Sequence, residues 1–185
     1  MHASAYAFAA NALTAGDVAG KRVVETGAFN YNGSVRPVIE ALGPASYTAT
    51  DLQPGPGIDV QCPAEDLPAA LGPASADVIV STEMLEHARD WRAAMCGMTV
   101  ALAPGGKLLL TTRGPGFPYH PHPDDFWRFT TDQMDTILAA LGLHVIRLEP
   151  DLPPDCGVLV LAVKPEAWEG IDPDALAAVE PGPPR

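Results

Sequence analysis

Cysteines and basic residues are scarce in this sequence. The three cysteines, Cys62, Cys96 and Cys156, are far apart and lack Cys-x-x-Cys spacing, so we expect reduced thiols in a cytoplasmic protein rather than a disulfide framework. Eleven Lys and Arg residues face 23 Asp and Glu residues, which gives a net charge of −12. Because no basic run occurs, neither nucleic acid nor an anionic membrane surface is an expected partner.

No long apolar run occurs either. Residues 1–19 are rich in alanine but lack a basic start and a long apolar core, so the pattern favours a helix packed on the domain over a signal peptide or a membrane span. The 185 residues are 47% hydrophobic and show no internal repeat, which is typical of one folded domain. We place this domain at residues 1–164 and expect a loosely held, Pro-rich and acidic C-terminal tail at residues 165–185.

Residues 21–42 predict a strand, a glycine turn and a helix. Val23-Val24 suits a buried strand, Gly27 breaks it, and Asn32 or Ser34 can cap the helix that follows. Glycine lets the backbone approach a ligand, and the free N–H groups at a helix start can bind one. The turn lacks the glycines at positions 29 and 32 that a dinucleotide fingerprint needs, and no Gly-Lys-Ser/Thr of a P-loop follows. A strand–helix turn without any ligand is the alternative interpretation.

Strands and helices alternate along the rest of the chain, which predicts a parallel sheet. After the first strand, the predicted strands lie at residues 47–51, 58–60, 76–81, 107–112, 143–149 and 157–164, the last two as an antiparallel pair at one edge. The second strand ends on Asp51, 24 residues after Gly27, where a carboxylate is placed to accept hydrogen bonds from a ribose diol. A turn cap is the alternative role for Asp51, since a Pro-Gly turn follows it.

The segment Gly114–Thr130 has no periodicity and is dense in Gly, Pro, His and aromatic residues. A loop of this length inside a compact domain is usually functional or disordered, and its aromatic residues argue against disorder. Thr130 and Gln133 then predict a capping box at the start of the next helix.

Five motifs resemble those of the class I S-adenosylmethionine-dependent methyltransferases and cover the chain from Val23 to about Lys164. They are, in chain order, Glu25-Thr26-Gly27 with its continuation Asn30-x-Asn32-Gly33-Ser34-Val35-Arg36, then Asp51, then Asp77–Ser81 with Glu83-Met84-Leu85-Glu86-His87, then Leu102-Ala103-Pro104-Gly105-Gly106, and last His120 with Asp125–Thr130. The last motif is similar to the lid segment of one subgroup of small, type 11-like methyltransferases. Any single motif is weak evidence, whereas five in this order are strong.

This resemblance implies a doubly wound α/β fold, the Rossmann-like methyltransferase fold. Its sheet would be mostly parallel and seven-stranded, with the order 3-2-1-4-5-7-6 and strand 7 antiparallel. The implied cofactor is S-adenosyl-L-methionine, bound at the carboxyl ends of strands 1, 2 and 4, where open α/β sheets bind ligands. The implied cofactor-binding residues are Glu25, Gly27, Asn32, Gly33, Asp51, Leu52, Ala64, Glu65, Ser81 and Glu83.

One position departs from the family pattern. Pro63 stands where the family usually has an acidic residue that binds the adenine amino group. We therefore expect adenine recognition from backbone groups near Ala64 and from apolar contact. One lost neutral hydrogen bond costs about 0.5–1.5 kcal/mol, which weakens cofactor binding without abolishing it.

Two histidines are the candidate catalytic residues. His120, which matches the subgroup's lid histidine, is the favoured general base, and a structural role in the loop is its alternative. His87 is expected to shape the methionine pocket together with Glu83, and a helix-start histidine bonded to the backbone is its alternative. Trp127 and Arg128 are expected to brace the lid. We expect no metal, although His120-x-His122-x-Asp124 has ligand types that suit Zn²⁺.

The resemblance implies methyl transfer to a small-molecule acceptor, and the acidic balance favours a neutral or cationic one. The main alternative is a non-catalytic or partner-dependent cofactor-binding protein on the same fold, either as a homodimer or with a partner subunit that completes the site. A nicotinamide-dependent oxidoreductase is disfavoured by the missing glycines at positions 29 and 32.

Overall fold

The computed structural model describes residues 2–121 and 124–184. Within these residues the helices are α1 (Ala3–Ala12), α2 (Ala15–Val18), α3 (Arg36–Glu40), α4 (Leu67–Leu71), α5 (Trp91–Ala101), α6 (Thr131–Ala140) and α7 (Pro173–Ala177). The strands are β1 (Arg22–Thr26), β2 (Ser46–Asp51), β3 (Val60–Gln61), β4 (Ala76–Thr82), β5 (Leu102–Arg113), β6 (His144–Asp151) and β7 (Gly157–Val163). Two short 3₁₀ turns lie at Ala64–Asp66 and Leu85–His87.

The strands form one seven-stranded sheet in the order β3-β2-β1-β4-β5-β7-β6. The first five strands of the chain pair in parallel, whereas β7 is antiparallel to both β5 and β6. The predicted order and the antiparallel seventh strand are therefore confirmed.

Alternate side chains of the central strands supply two hydrophobic layers, one on each face of the sheet. Val23 and Val78 pack with residues of α1, α2 and α3. Val24 and Ile79 pack on the other face with residues of α4, α5, α6 and α7. Because successive strand residues point to opposite faces, near-continuous apolar strands such as β4 bury both faces, as a parallel sheet between helices requires.

Some boundaries differ from the sequence predictions. The third strand is only two residues long, because only Thr50 and Asp51 of β2 find partners there. The fifth strand begins at Leu102 instead of Lys107, because Leu102 already pairs with Ala76 of β4. The register then shifts across the Pro-Gly-Gly turn, and Lys107 pairs with Val78. The expected N-terminal helix is divided into α1 and α2, and Thr14 caps the second of them.

The C-terminal residues pack against the domain, so the expectation of a loosely held tail is wrong. Leu176 and Val179 are buried in the main hydrophobic cluster, and the Trp168 indole N–H donates to the Leu141 carbonyl at 2.9 Å. Asp172 caps α7 by accepting from two backbone N–H groups. Leu176 of α7 and Val179 just after the helix thus anchor this Pro-rich and acidic segment on the core.

Gly97 of α5 permits a close helix contact beside the cavity. A Cβ atom at this position would overlap the Ala64 carbonyl oxygen and lie 2.8 Å from Glu65 Cα. We expect Gly97→Ala to lower the free energy of unfolding by about 1–3 kcal/mol, as overpacking does. Chemical denaturation measures this change. Gly16→Ala is the control, because its Cβ would meet only an ordinary contact at 3.5 Å, and equal stability of the two variants would contradict the prediction.

Candidate cofactor and acceptor cavity

A cavity of about 510 Å³ opens at the carboxyl ends of β1, β2 and β4. This volume lies within the usual range of small-molecule sites. The turn after β1, the residues after β2 and β4, and the Gly114–Thr130 segment contribute its walls. Parallel strands bring their carboxyl ends to one edge of a sheet, which explains why residues distant in sequence meet here.

The turn between β1 and α3 forms one wall. Gly27 has φ +74°, and a Cβ atom there would lie 2.5 Å from Met84 Cγ, so the position requires glycine on both counts. The Gly33 N–H donates to the Asn30 side-chain oxygen at 2.8 Å. Helix α3 starts later than predicted, and Ser34 accepts from the Arg36 N–H at 3.1 Å instead of acting as its N-cap residue.

Asp51 presents its carboxylate to the cavity from the end of β2. Its two oxygens accept from the Phe29 N–H at 3.0 Å and the Gln53 N–H at 2.8 Å. An ionised carboxylate has about four acceptor positions, so these two bonds fix its orientation and leave acceptor capacity for ligand hydroxyl groups. Asp51 thus caps the turn and faces the cavity as well.

Glu25 is a second carboxylate of the cavity wall, and it is buried. Burial raises the pKa of Glu25 to about 7, although a hydrogen bond from the Tyr47 hydroxyl at 2.5 Å opposes the rise. Burial likewise raises the pKa of the Tyr47 hydroxyl. Glu25 therefore changes charge near neutral pH, and a cation bound beside it would favour its ionised form.

The raised pKa of Glu25 predicts a pH-dependent stability. A carboxyl group whose pKa rises from 4.5 to about 7 on folding stabilises the fold below pH 4.5, and this contribution is lost as the pH rises through 7. The ionised group then costs about 3 kcal/mol. We expect Glu25→Gln to raise the melting temperature at pH 8 but not at pH 5. Exposed Glu169→Gln is the control, and a pH-independent difference for Glu25→Gln would contradict the prediction.

The edge of the cavity near β3 is mostly apolar. Leu52, Cys62, Pro63 and Ala64 line it together with Glu65, and burial raises the pKa of the Cys62 thiol. Pro63 brings no side-chain hydrogen-bonding group. Only backbone groups and apolar surface are thus available here from Pro63 and Ala64.

The Gly114–Thr130 segment, which we call the lid segment, is braced by a buried ion pair. Arg128 donates to the two Asp125 carboxylate oxygens at 2.5 and 2.6 Å, and both side chains are shielded from solvent. Arg128 also donates to the Pro118 carbonyl at 3.0 Å, and the Trp127 indole N–H donates to the Ala88 carbonyl at 2.9 Å. The bracing role predicted for Trp127 and Arg128 is confirmed.

Both candidate catalytic histidines face the cavity beside each other. The rings of His87 and His120 meet edge to face, with centroids 4.9 Å apart. The His87 Nδ1–H donates to the Asp124 carbonyl at 2.5 Å, and His120 Nδ1 lies 3.0 Å from the Asp125 carboxylate. The Nδ1 hydrogen bond orients the His87 ring, the Asp125 carboxylate lies beside Nδ1 of His120, and both rings line the cavity.

Arg113 and His2 belong to the same region, and sequence reasoning did not identify them. The guanidinium of Arg113 contacts Glu83 and the His2 ring, while the His2 backbone N–H donates to Glu83 at 3.0 Å. Burial lowers the pKa of Arg113 to about 10, and burial together with Arg113 lowers the pKa of His2. Arg113 ends β5 shortly after the apolar run Leu108–Leu110, and a charge at the carboxyl end of a central strand is the signal that could have identified it. Glu83 has φ +55°, a backbone conformation that is often found at functional sites.

Ser81 is the exception among the predicted site residues. Its side chain is fully buried within β4, and the next residue, Thr82, lines the cavity instead, because adjacent strand side chains point to opposite faces. The structure brings the others together in the cavity wall, namely Glu25, Gly27, Asn32, Gly33, Asp51, Leu52, Ala64, Glu65, Glu83, His87 and His120.

The other sequence-based expectations concern metal and membrane. The set His120-x-His122-x-Asp124 includes His122, which lies outside the described residues. The backbone carbonyl of Asp124 accepts a hydrogen bond from His87.

Across residues 2–121 and 124–184 no helix is both long and apolar enough to cross a bilayer.

The sheet order, the cavity at its carboxyl edge and the carboxylate that ends β2 define a Rossmann-like methyltransferase fold. A family model described as a methyltransferase domain matches residues 2–148. The chain belongs to this family and to the class I S-adenosylmethionine-dependent methyltransferases, as its motifs predict.

Two solved structures share the fold at low identity. The 1,6-didemethyltoxoflavin-N1-methyltransferase of Burkholderia thailandensis, with 1,6-didemethyltoxoflavin and S-adenosylhomocysteine bound, has a TM-score of 0.70 at 18% identity, covering 88% of this chain and 79% of that chain. An S-adenosylmethionine-dependent methyltransferase of Mesorhizobium loti has a TM-score of 0.60 at 19% identity, covering 80% of this chain and 93% of that chain.

A curated relative is similar to this chain over a short segment. The ubiquinone biosynthesis O-methyltransferase of Idiomarina loihiensis is 44% identical over 61 residues. This segment is 33% of the present chain, and it spans only 25% of the length of that relative.

Proposed function

We propose that this protein binds S-adenosyl-L-methionine and transfers its methyl group to a small-molecule acceptor. The observation that carries the proposal is one cavity that holds both the Asp51 carboxylate and the two histidines His87 and His120. The Asp51 carboxylate suits a ribose diol, and the two histidines suit a reacting acceptor. One cavity therefore has groups for both substrates.

The donor set of the cavity fits the cofactor. The Asp51 carboxylate is oriented by two backbone N–H groups and accepts hydrogen bonds from ribose hydroxyls in our proposal. Glu25, whose pKa is about 7, ionises beside the positive charge of the cofactor in our proposal, and the edge formed by Pro63 and Ala64 accepts the adenine ring by apolar contact. When bound, S-adenosyl-L-methionine supplies a methyl group that is already activated on a sulfonium.

The lid segment supplies the acceptor side of the cavity. Phe117, Pro118 and Phe126 offer apolar surface, and His87 and His120 offer polar groups. Holding the acceptor in line with the methyl group is the main contribution of the protein and is worth up to about 7–11 kcal/mol. We propose that the two histidines act on the nucleophilic atom of the acceptor, whose proton must leave as the new bond forms.

The known proteins support a small acceptor. The curated relative from Idiomarina loihiensis is named an O-methyltransferase of ubiquinone biosynthesis, and the Burkholderia thailandensis neighbour has 1,6-didemethyltoxoflavin and S-adenosylhomocysteine bound. The net charge of −12 also disfavours nucleic acid as acceptor.

Transfer of a tritiated methyl group tests the proposal. Purified protein and labelled S-adenosyl-L-methionine are incubated with a bacterial extract that has been divided by ultrafiltration into small molecules and retained macromolecules. We expect label only in the small-molecule fraction. Label only in protein or nucleic acid would contradict the proposed acceptor class. Cofactor binding without label in either fraction would favour the partner-dependent alternative.

A further inference from the structure

Three side chains from two separate segments converge on one point beside the cavity. Glu86 and His87 follow β4, and His120 belongs to the lid segment. The Glu86 Oε1 atom lies 3.9 Å from His87 Nε2 and 3.8 Å from His120 Nε2. One ligand atom from each of the three lies within 4.8 Å of the others. These separations are longer than hydrogen bonds but suit donors that surround a common ion.

Glu86 has a buried oxygen that the fold leaves without a hydrogen bond. Its side chain is fully buried, and Oε2 accepts from the Thr112 hydroxyl at 2.9 Å. Oε1 has no hydrogen-bond partner among the described residues, and the nearest cation, Arg113, has its Nε 3.9 Å away. The Arg113 guanidinium already pairs with Glu83. Buried carboxylates are normally fully hydrogen-bonded, paired or bound to metal.

His87 is held through Nδ1 as metal-ligating histidines are, and His120 lies beside a fixed carboxylate. His87 donates its Nδ1–H to the Asp124 carbonyl at 2.5 Å, and His120 Nδ1 lies 3.0 Å from the Asp125 carboxylate, which Arg128 fixes. The hydrogen bond at Nδ1 of His87 selects the tautomer whose Nε2 carries a lone pair and raises the basicity of that nitrogen. Both Nε2 atoms face Glu86, so three donors point to the same space.

We propose that Glu86, His87 and His120 bind a divalent transition-metal cation at the acceptor end of the cavity. Two imidazoles and one carboxylate form a donor set that suits zinc and similar ions. Sites with three protein ligands keep open positions, as catalytic sites do, and His87 and His120 both line the cavity. An open position is therefore accessible to an acceptor.

The cation gives the two histidines a shared role in methyl transfer. This role rests on the proposed function. A cation here lowers the pKa of an acceptor hydroxyl group that reaches it, so the hydroxyl proton leaves to water. The acceptor oxygen then forms its bond to the methyl carbon as the sulfur–carbon bond breaks, and that electron pair returns to sulfur. The cation keeps its oxidation state throughout.

Cobalt titration of the whole chain tests the site. The protein is prepared without a polyhistidine tag, stripped with a chelator and titrated with Co²⁺ while its visible absorption is recorded, and Zn²⁺ is then added to displace the cobalt. We expect one ion per chain with a dissociation constant in the micromolar range or below. Glu86→Gln, His87→Ala and His120→Ala should each weaken binding at least tenfold. His144→Ala, which removes an exposed histidine on β6, should bind as the unaltered chain does.

Equal cobalt binding by all four variants, or no binding by the unaltered chain, would overturn the site. Circular dichroism and S-adenosyl-L-methionine binding establish that each variant is folded. A metal-free protein that transfers methyl groups at the full rate would refute the role of the cation and leave the proposed function standing. A loss of transfer on chelation that Zn²⁺ or Co²⁺ reverses, with unchanged cofactor affinity, would support both.

Discussion

Asp51→Ala is expected to weaken S-adenosyl-L-methionine binding at least tenfold. The Asp51 carboxylate faces the cavity, and hydrogen bonds to a charged group contribute about 1.5–3 kcal/mol, which is a factor of ten or more in affinity. Its loss also frees the Phe29 and Gln53 N–H groups that now orient it. Isothermal titration calorimetry measures the change in affinity.

Two variants make this result specific to the cavity. Asp51→Asn keeps one acceptor oxygen and should lose less affinity than Asp51→Ala. Asp135→Ala removes an exposed aspartate of α6 and should bind the cofactor normally. An unchanged affinity in Asp51→Ala would remove the ribose assignment.

His120→Ala is expected to lower turnover by about 100-fold or more, which is the usual contribution of a group that assists proton removal. The cofactor dissociation constant should change less than threefold, because His120 lies on the acceptor side with the lid segment and Asp51 lies at the end of β2. Single-turnover kinetics and calorimetry on the same preparation separate the two effects.

A structural role of His120 would give a different pattern. Its ring contacts Phe117 edge to face at 4.8 Å, so a variant with a disordered lid segment should lose cofactor affinity and turnover together. Equal losses in both would therefore contradict the catalytic assignment. His144→Ala should change neither quantity.

The sheet and the position of the cavity follow from local sequence patterns combined with motif order. Val23 and Val24 identify a buried strand, Gly27 identifies its turn, and Asp51 identifies the end of the next strand. Because the carboxyl ends of parallel strands share one edge, these local features place several residues around one site. The strand order itself came from the family resemblance, since periodicity alone does not order strands.

Long-range contacts were beyond sequence reasoning. His2 and Arg113 meet across 111 positions, and no local pattern indicates that pairing. Glu86 and His120 are likewise distant in sequence, so the sequence-based search for metal ligands considered only neighbours of His120. Ser81, which the resemblance implied as a cofactor-binding residue, is buried, and Thr82 lines the cavity instead, because one residue of register reverses the direction of a strand side chain. The buried Leu176 and Val179 were hidden among prolines and acidic residues.

Calorimetric binding of S-adenosyl-L-methionine and S-adenosylhomocysteine to the unaltered chain tests the central claim most directly. We predict that both bind one to one with dissociation constants on the order of 1–100 μM, about −5 to −8 kcal/mol, and that NADH does not compete. Absence of binding by both ligands, or displacement of either by NADH, would contradict the assignment of this cavity to the methyl donor.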